Sequence, residues 1–436
     1  MEFIRRAEAA IALACQVGDA ISAVGMAGSD WWRNRAADQS QQLFDLIEPT
    51  NRPGEDGQYL KAKYGNFGQF YTSSMLEMNM IVTASSRIFG VSQNVGMKLA
   101  NAVQQENAEA CELLLKAIKS GQISRSDCEI ISDSLHPSYL DPGSEEGRLL
   151  KLFLEGGRED DPTSNARRIT LRNILSIIAE EGSEFDLRRS LYIQSENLRE
   201  APYAISNLTR WRAYFVNEFC HIALEVWLNA LVGLLNAAEE PTSVELLAVA
   251  LAAKAQLDPE DSTFDLAQKQ ALNSLEDEHN LGSELLTVAS AKKTPEAESI
   301  SSSAELILSL WRRWREDSAV RDELALATAE GRSAEGIFRF LDLHQDANAL
   351  LTITNLIKKF VVSNHLMIAG QKLATGGRFT YRFTMDDGCL VDGEYGEYTY
   401  TNPRIFNLLT FAKDAQLVDP ETGLVTEEGR EFLDAA

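Results

Sequence analysis

The residues with the most evident chemical potential form two Glu-x-x-His tetrads, Glu218–His221 and Glu276–His279. Residues three apart share a helical face, so each tetrad presents a carboxylate and an imidazole side by side. Two such tetrads and two further glutamates build the di-iron centre of some four-helix bundles. The pair therefore predicts, as a minor alternative, a di-iron-type metalloprotein that uses Glu218, His221, Glu276 and His279. In the other interpretation, the histidines are ordinary core or surface residues.

No other chemical signature supports an enzyme. The sequence has no nucleophile elbow, phosphate-cradling glycine loop, zinc quartet or dinucleotide fingerprint. Five cysteines are scattered singly, with neither metal-ligand spacing nor an even count for a disulfide framework. We therefore expect a reducing compartment, no cofactor and a non-enzymatic function.

A basic segment stands out in an acidic chain. The formal net charge is −24, yet residues 347–385 contain no Asp or Glu. A strip of positive charge predicts contact with phosphates, so a nucleic-acid-binding component is the alternative function. A long core helix whose exposed sites happen to be lysine would give the same pattern. The basic residues of this strip are Lys358, Lys359, Lys372, Arg378 and Arg382.

A second group mixes aromatic and guanidinium side chains. Tryptophan and arginine are enriched where binding energy concentrates at protein interfaces. Core packing with arginines that reach the surface is the competing interpretation. With two lysines of the basic strip, the group gives six predicted partner-binding residues: Trp311, Arg312, Trp314, Arg315, Lys358 and Lys359.

The elements that would position these residues are mostly helices. Helical periodicity dominates residues 105–376, and Asp386-Asp387-Gly388 predicts a hairpin turn. Near the C-terminus, one apolar helix is followed by aliphatic pairs around a turn, and Thr426 then caps a last helix. The fold class predicted is mainly α: a multi-helix body with small β-hairpins and a C-terminal winged-helix-like domain. The predicted domains are 1–104, 105–376 and 377–436.

The first domain, a helical region, contains a similar pattern. Within residues 57–104, an apolar helix is followed by Met80-Ile81-Val82, a loop, Ser92 and a helix that contains Gly96. This order predicts a second winged-helix-like unit. The chain opens directly in a helix with no capping residue before Phe3, which suggests an upstream region or a first helix docked on a partner; a plain N-terminal helix is the alternative.

Charge and hydropathy oppose two further functions, DNA reading by the C-terminal block and insertion into a membrane. The C-terminal stretch 379–436 has twelve acidic and four basic residues, a balance of 4 − 12 = −8 that opposes a DNA-reading wing. The longest apolar run, 222–235, includes Glu225 and Asn229 and is too short for a membrane span. We expect a cytoplasmic protein that does not enter a membrane.

Two parts of the chain carry a resemblance: Arg210–Glu225, and the C-terminal block of Thr401–Arg404 with Leu424–Leu433. Together they resemble a group of uncharacterised helical bacterial proteins associated with multi-gene anti-phage defence loci. The resemblance implies a subunit of a larger assembly and supplies no active-site residue. We therefore expect a non-enzymatic helical scaffold or adaptor subunit of a multi-protein bacterial complex, with other protein subunits as its partners.

Overall fold

The computed structural model forms two compact units, each built mainly from helices with small antiparallel sheets. The first unit comprises Met1–Ala179 and Phe406–Ala436, and the second comprises Glu180–Ile405. The structure describes residues 2–18, 28–50, 65–85, 88–137, 140–154, 162–193, 202–238, 240–258, 260–327, 334–374, 379–399, 401 and 405–434.

The first unit contains these helices: α1 Glu2–Gly18, α2 Ser29–Ala37, α3 Thr72–Glu77, α4 Gly96–Glu106, α5 Ala108–Ser120, α6 Arg125–Leu135, α7 Glu145–Leu154 and α8 Pro162–Glu181, with α19 Ile405–Asp414 and α20 Glu427–Asp434 near the C-terminus. Its strands are β1 Leu43–Asp45, β2 Ile81–Ser85, β3 Ile88–Val91 and β4 Gln122–Ser124. A 3₁₀ turn covers Glu48–Thr50, and a π-helical segment covers Phe67–Tyr71.

The core of the first unit forms around α1. This helix packs on α2, α5 and α6. Its small side chains Ala9, Ala10 and Ala14 and the side chain of Leu13 are fully buried, which lets neighbouring helices approach closely. Burial of this alanine-rich face predicts that a larger residue here would overpack the core.

Two places in the first unit share one local geometry. After β3, the Ser92 amide donates to Met80 O at 3.0 Å, and Ser92 Oγ accepts from the Gly96 amide at 2.9 Å. A Cβ atom on Gly96 would run into that same Met80 carbonyl. The hydroxyl therefore caps α4 while the glycine lets its first turn touch the strand backbone.

The C-terminal block repeats this arrangement. The Thr426 amide donates to Leu417 O at 3.2 Å, and Thr426 Oγ1 accepts from the Gly429 amide at 3.0 Å. A Cβ atom on Gly429 would meet the Leu417 carbonyl, as at the first site. Between α19 and α20, Val418 and Val425 form an isolated antiparallel bridge. The predicted resemblance between the two segments is therefore present locally; the stretch 57–64 of the N-terminal pattern lies outside the described residues.

The second unit contains α9 Leu187–Ile193, α10 Pro202–Ala238, α11 Val244–Lys254, α12 Thr263–Gln270, α13 Leu275–Ala289, α14 Ala297–Glu316, α15 Ser318–Ala327, α16 Ala334–Leu343, α17 Ala349–Leu356 and α18 Asn364–Ala374. Its strands are β5 Thr242–Ser243, β6 Thr384–Asp386 and β7 Cys389–Val391. A π-helical segment, Ile357–Ser363, joins α17 directly to α18.

The long helix α10 is the core element of the second unit. It packs against α9, α11, α13, α14 and α15. The side chains of Phe215, Phe219 and Trp227 on α10 are buried, and the Trp227 indole donates to Ile300 O at 3.1 Å. The segment Asn207–Ala238 is long and apolar enough to cross a membrane, but 78% of its apolar window is buried inside the unit. Its apolar character is thus consistent with the core helix of a soluble protein.

The predicted hairpin at 386–388 is present, but its setting differs from the expectation. Asp387 and Gly388 both have positive φ angles, 44° and 78°, as a two-residue hairpin turn requires. The sequence prediction attaches this hairpin to the C-terminal block. In the structure β7 instead pairs with β5, giving a sheet of order β5-β7-β6 within the second unit. The division into units accordingly does not follow the predicted boundaries at 104 and 376.

Candidate functional site: a polar cavity and the helical face beside it

Polar side chains on α10 hold the extended chain that follows β7. The Glu218 carboxylate, 1% exposed, accepts hydrogen bonds from the Thr401 amide at 2.9 Å, the Thr401 hydroxyl at 2.8 Å and the Tyr398 hydroxyl at 3.1 Å. Farther along the helix, Asn229 Oδ1 accepts from the Gly396 amide at 3.2 Å, and Asn229 Nδ2 donates to Gly396 O at 3.3 Å. These partly buried bonds fix one wall of a cavity.

The cavity has a volume of about 450 Å³ and lies within the second unit. Apolar side chains from α10, α16, the π-helical segment and α18 form much of its lining: Leu224, Leu228, Ile337, Phe360, Val361 and Ile368. The ionisable or hydrogen-bonding groups converge from four elements: His221, Glu225, Asn364, His365, Lys372, Thr380, Arg382 and Tyr398. An apolar chamber with a few convergent polar groups is the usual form of a small-molecule site.

Arg382 is the most constrained of these groups. Its Nη2 donates to Glu225 Oε2 at 3.0 Å and its Nη1 donates to Asn229 Oδ1 at 3.1 Å. Its backbone amide donates to His365 Nε2 at 2.9 Å. A Cβ atom on Gly396 would collide with the guanidinium, so the absence of a side chain there makes room for it.

The cavity shifts the pKa values of Glu225 and His365. Burial raises the pKa of Glu225, and the charges of Arg382, His221 and Lys372 oppose that rise. Burial, with the positive charges of Arg382 and Lys372, lowers the pKa of His365 to about 4. His365 is therefore neutral at pH 7, and because Nε2 accepts a hydrogen bond, its ring proton lies on Nδ1.

The π-helical segment Ile357–Ser363 connects this cavity with the surface. The Ser363 hydroxyl donates to Lys358 O, five residues back, at 2.9 Å. Phe360 and Val361 face the cavity. On the outside, Lys358 pairs with Glu245 of α11, and the Lys359 ammonium lies 5.3 Å from the centre of the Phe340 ring. One short segment thus contributes to both surfaces.

Two predicted partner residues are part of the core. Trp311 is 0% exposed and Trp314 is 7% exposed, because both indoles point into the second unit from α14. This arrangement matches the core-packing alternative, and it leaves no indole surface for a partner.

The adjacent arginines are engaged within the second unit. Arg312 donates to Leu272 O at 2.6 Å. Arg315 donates to Gln345 Oε1 at 2.6 Å, and its guanidinium lies 5.1 Å from the centre of the Phe264 ring. Of the six predicted residues, Lys358 and Lys359 remain as candidates for a partner contact.

The two Glu-x-x-His tetrads do not converge on a metal site. Glu218 is saturated by Thr401 and Tyr398, and Glu276 accepts two bonds from Arg189, at 2.7 and 2.6 Å. Across the described ranges, no three His, Cys, Asp or Glu side chains are grouped to hold a metal ion. The glutamates of the two tetrads bind different partners, because Glu218 accepts from Thr401 and Glu276 accepts from Arg189.

Only part of the basic strip is available to a long polyanion. Lys358 pairs with Glu245, and Arg382 is inside the cavity with Glu225. Lys372 lines the cavity mouth, and Arg378 lies outside the described residues. Pairing with carboxylates offsets the positive charge that phosphate binding needs.

A buried ionic network near α13 was not foreseen from sequence. Glu278, 0% exposed, accepts from Tyr192 Oη at 2.5 Å and from Arg313 Nε at 2.9 Å. Burial raises the pKa of Glu278 against the opposing charge of Arg313. Because Glu278 is fully paired, we assign it a structural role. Removal of Arg313 would leave an uncompensated charge in the core.

The cavity unites residues that the sequence assigned to different alternatives. His221 comes from a predicted metal tetrad, whereas Lys372 and Arg382 come from the basic strip. Glu225 and His365 were missed as members of this group. The one available signal was the placement of Glu225 one turn after His221, since residues four apart share a helical face.

Comparison of the chain with protein-family models, with curated proteins and with solved structures gave no match.

Proposed function

We propose that the chain is a non-enzymatic helical adaptor, a subunit of a multi-protein complex that binds a partner protein through one face of its second unit. The observation that carries the proposal is a set of exposed apolar side chains on α11 and α17, which pack against each other. Leu246 is 65% exposed, Val249 44% and Leu351 56%. Exposed apolar side chains on two helices that pack together are typical of protein contact sites.

Charged groups border this apolar face. The Glu245–Lys358 ion pair joins α11 to the π-helical segment, and exposed Lys359 follows it. An apolar centre with a polar rim is the general anatomy of a protein interface. The expected partner is a protein with an apolar patch and acidic residues placed to meet Lys359.

The test is recovery of tagged protein from its native host after nuclease treatment, followed by mass spectrometry. The wild-type chain should retain a stoichiometric protein partner. The double variant Leu246→Ser, Leu351→Ser should lose it. Leu326→Ser is the matched control, because Leu326 is 76% exposed on α15 and should not affect binding.

Two results would overturn the adaptor proposal. One is a partner that the double variant retains at the wild-type level. The other is a complex that disappears on nuclease treatment of the wild-type protein, which would favour nucleic-acid binding through the basic strip.

We extend the proposal to the C-terminal block as a winged-helix-like assembly element rather than a reader of bases. Its helices α19 and α20 flank the Val418–Val425 bridge, and Thr426 caps α20. The acidic balance of residues 379–436 supports a protein partner over DNA. The lack of disulfide-like cysteine spacing and the resemblance in sequence support a bacterial cytoplasmic complex of the kind encoded in anti-phage loci.

A further inference from the structure

We propose that the cavity beside α10 binds a small organic anion, a carboxylate or phosphate group attached to an apolar body. This inference is independent of the adaptor function. It stands on the charge, the preorganisation and the shape of the lining.

The lining has an excess of positive charge. Among its described residues, Lys372 and Arg382 are cationic and Glu225 is the one acid, giving a balance of 2 − 1 = +1. His365 adds no charge at pH 7, because its pKa is about 4. The ligand group that best complements this balance is a single anion.

The strongest donor is held in place before a ligand arrives. Arg382 is anchored by Glu225 on one nitrogen and by Asn229 on another. A guanidinium has five N–H donors, so these two bonds leave others to face an oxyanion. A planar donor that is already held in place loses little conformational freedom on binding. Arginine also matches the geometry of carboxylate and phosphate groups.

A neutral donor lies beside the guanidinium. His365 accepts the Arg382 amide through Nε2, which places its proton on Nδ1. An anion in the cavity can therefore take hydrogen bonds from a cation and from a neutral imidazole. Lys372 at the mouth would attract the anion electrostatically.

The remaining wall selects an apolar body. Leu224 and Leu228 come from α10, Phe360 and Val361 from the π-helical segment, and Ile368 from α18. The volume of about 450 Å³ falls in the range of small-molecule sites. A π-helical wall is a further point in favour, because such segments occur frequently at functional sites.

The experiment is calorimetric titration of the full chain with four probes: phenyl phosphate, hexanoate, inorganic phosphate and hexylammonium. Phenyl phosphate or hexanoate should bind with one site per chain and raise the melting temperature. Inorganic phosphate, which lacks an apolar body, should bind at least about tenfold more weakly, as loss of roughly 1.4 kcal/mol implies. Hexylammonium, of opposite charge, should not bind.

Two variants locate the binding. Lys372→Gln removes the exposed cation at the mouth, and Ile368→Trp fills the chamber. Both should weaken anion binding at least about fivefold, which corresponds to a loss of about 1 kcal/mol in the free energy of binding. Lys254→Gln, an exposed lysine on α11 outside the cavity lining, is the control and should bind as the wild type.

The outcomes separate the ligand classes and can overturn the proposal. Binding of phenyl phosphate alone assigns a phosphate ester, and binding of hexanoate alone assigns a carboxylate. The proposal is wrong if neither anion saturates the protein at 10 mM. It is equally wrong if hexylammonium binds as well as the anions, or if Lys372→Gln and Ile368→Trp both bind like the wild type.

Discussion

The guanidinium of Arg382 occupies the space in which a side chain at Gly396 would begin. Both residues are also joined to Asn229 Oδ1, which accepts from Arg382 Nη1 at 3.1 Å and from the Gly396 amide at 3.2 Å. One amide oxygen of α10 thus fixes two points of the chain that lie 153 and 167 residues after it. Residue size at position 396 determines whether this arrangement can form.

Gly396→Ala should displace the guanidinium and break its bonds to Asn229 and Glu225. Loss of these bonds, one of them to a charged group, should lower the free energy of unfolding by about 2 to 3 kcal/mol. Urea denaturation would measure it. Gly90→Ala is the control, because its Cβ would meet only Val82 at an ordinary 3.7 Å. An unchanged urea midpoint for Gly396→Ala would contradict the assigned position of Arg382.

His365 should make folding stability depend on pH. Its pKa is about 4 in the folded protein because of burial and the charges of Arg382 and Lys372, against a usual value near 6.5. Between those values the unfolded chain binds a proton that the folded chain does not, so stability falls as pH is lowered from 7 towards 4. The loss should reach about 1 to 2 kcal/mol, given partial exposure of the ring.

The measurement is urea denaturation of wild type and His365→Gln at pH 7.0 and 5.0. Glutamine keeps an acceptor for the Arg382 amide but cannot take up the proton, so the variant should lose less stability on acidification. His344→Gln, at an exposed position, should keep the wild-type pH dependence. Equal pH dependence in wild type and His365→Gln would show that His365 is not the group responsible.

Lys359→Glu should weaken partner binding and leave stability nearly unchanged. Lys359 is exposed, and its ammonium lies 5.0 Å from the Phe360 ring centre. A surface substitution of this kind alters the free energy of unfolding by about 0.5 kcal/mol. Partner recovery and thermal unfolding would be measured on the same preparation. A stability loss above about 2 kcal/mol would assign Lys359 a structural role instead.

Lys358→Glu tests the adjacent ion pair. The variant loses the bond to Glu245 and opposes two carboxylates, which should cost about 0.2 to 1 kcal/mol at this partly exposed site. The exchange variant Glu245→Lys, Lys358→Glu should restore the pair and the melting temperature. Partner recovery should stay low in the exchange variant if the position of the positive charge matters to the partner.

Gly429→Ala and Gly96→Ala should behave alike, because each glycine lies against the backbone carbonyl of the residue just before a strand or bridge. A Cβ would meet Leu417 O in one case and Met80 O in the other. Displacement of the backbone should lower the free energy of unfolding by about 1 to 3 kcal/mol. Gly143→Ala, in an exposed turn, is the control for chemical denaturation. If only one of the two variants is destabilised, the shared geometry is not equally important at both sites.

Local signals in the sequence predicted local structure. The turn at Asp387-Gly388 and the cap at Thr426 each depend on residues close in the chain, and each is confirmed. Residue spacing did not predict the role of a side chain where that role depends on contacts with residues remote in sequence. Glu276 shares a helical face with His279, but spacing cannot show that Arg189, 87 residues away, binds it.

The cavity was beyond prediction for the same reason. Its polar groups come from α10, from α18, from the chain before β6 and from the chain after β7, with Arg382 and Glu225 separated by 157 residues. The π-helical segment was also invisible, since Ile357–Ser363 has the same apolar periodicity as an ordinary helix. Hydrogen-bond pattern, not residue type, distinguishes the two.

The π-helical segment sets the direction in which the side chains of α18 point. Its turns hold more residues than the α-helical turns of α17 and α18 that flank it. Relaxation of this segment to a regular α-helix, with no change in its length, would rotate everything after it by about 100°, the angle per residue of an α-helix. His365 and Lys372 would then turn away from the chamber while Lys358 kept its place. The alignment of the chamber therefore depends on the π-helical backbone itself as well as on the side chains that line it.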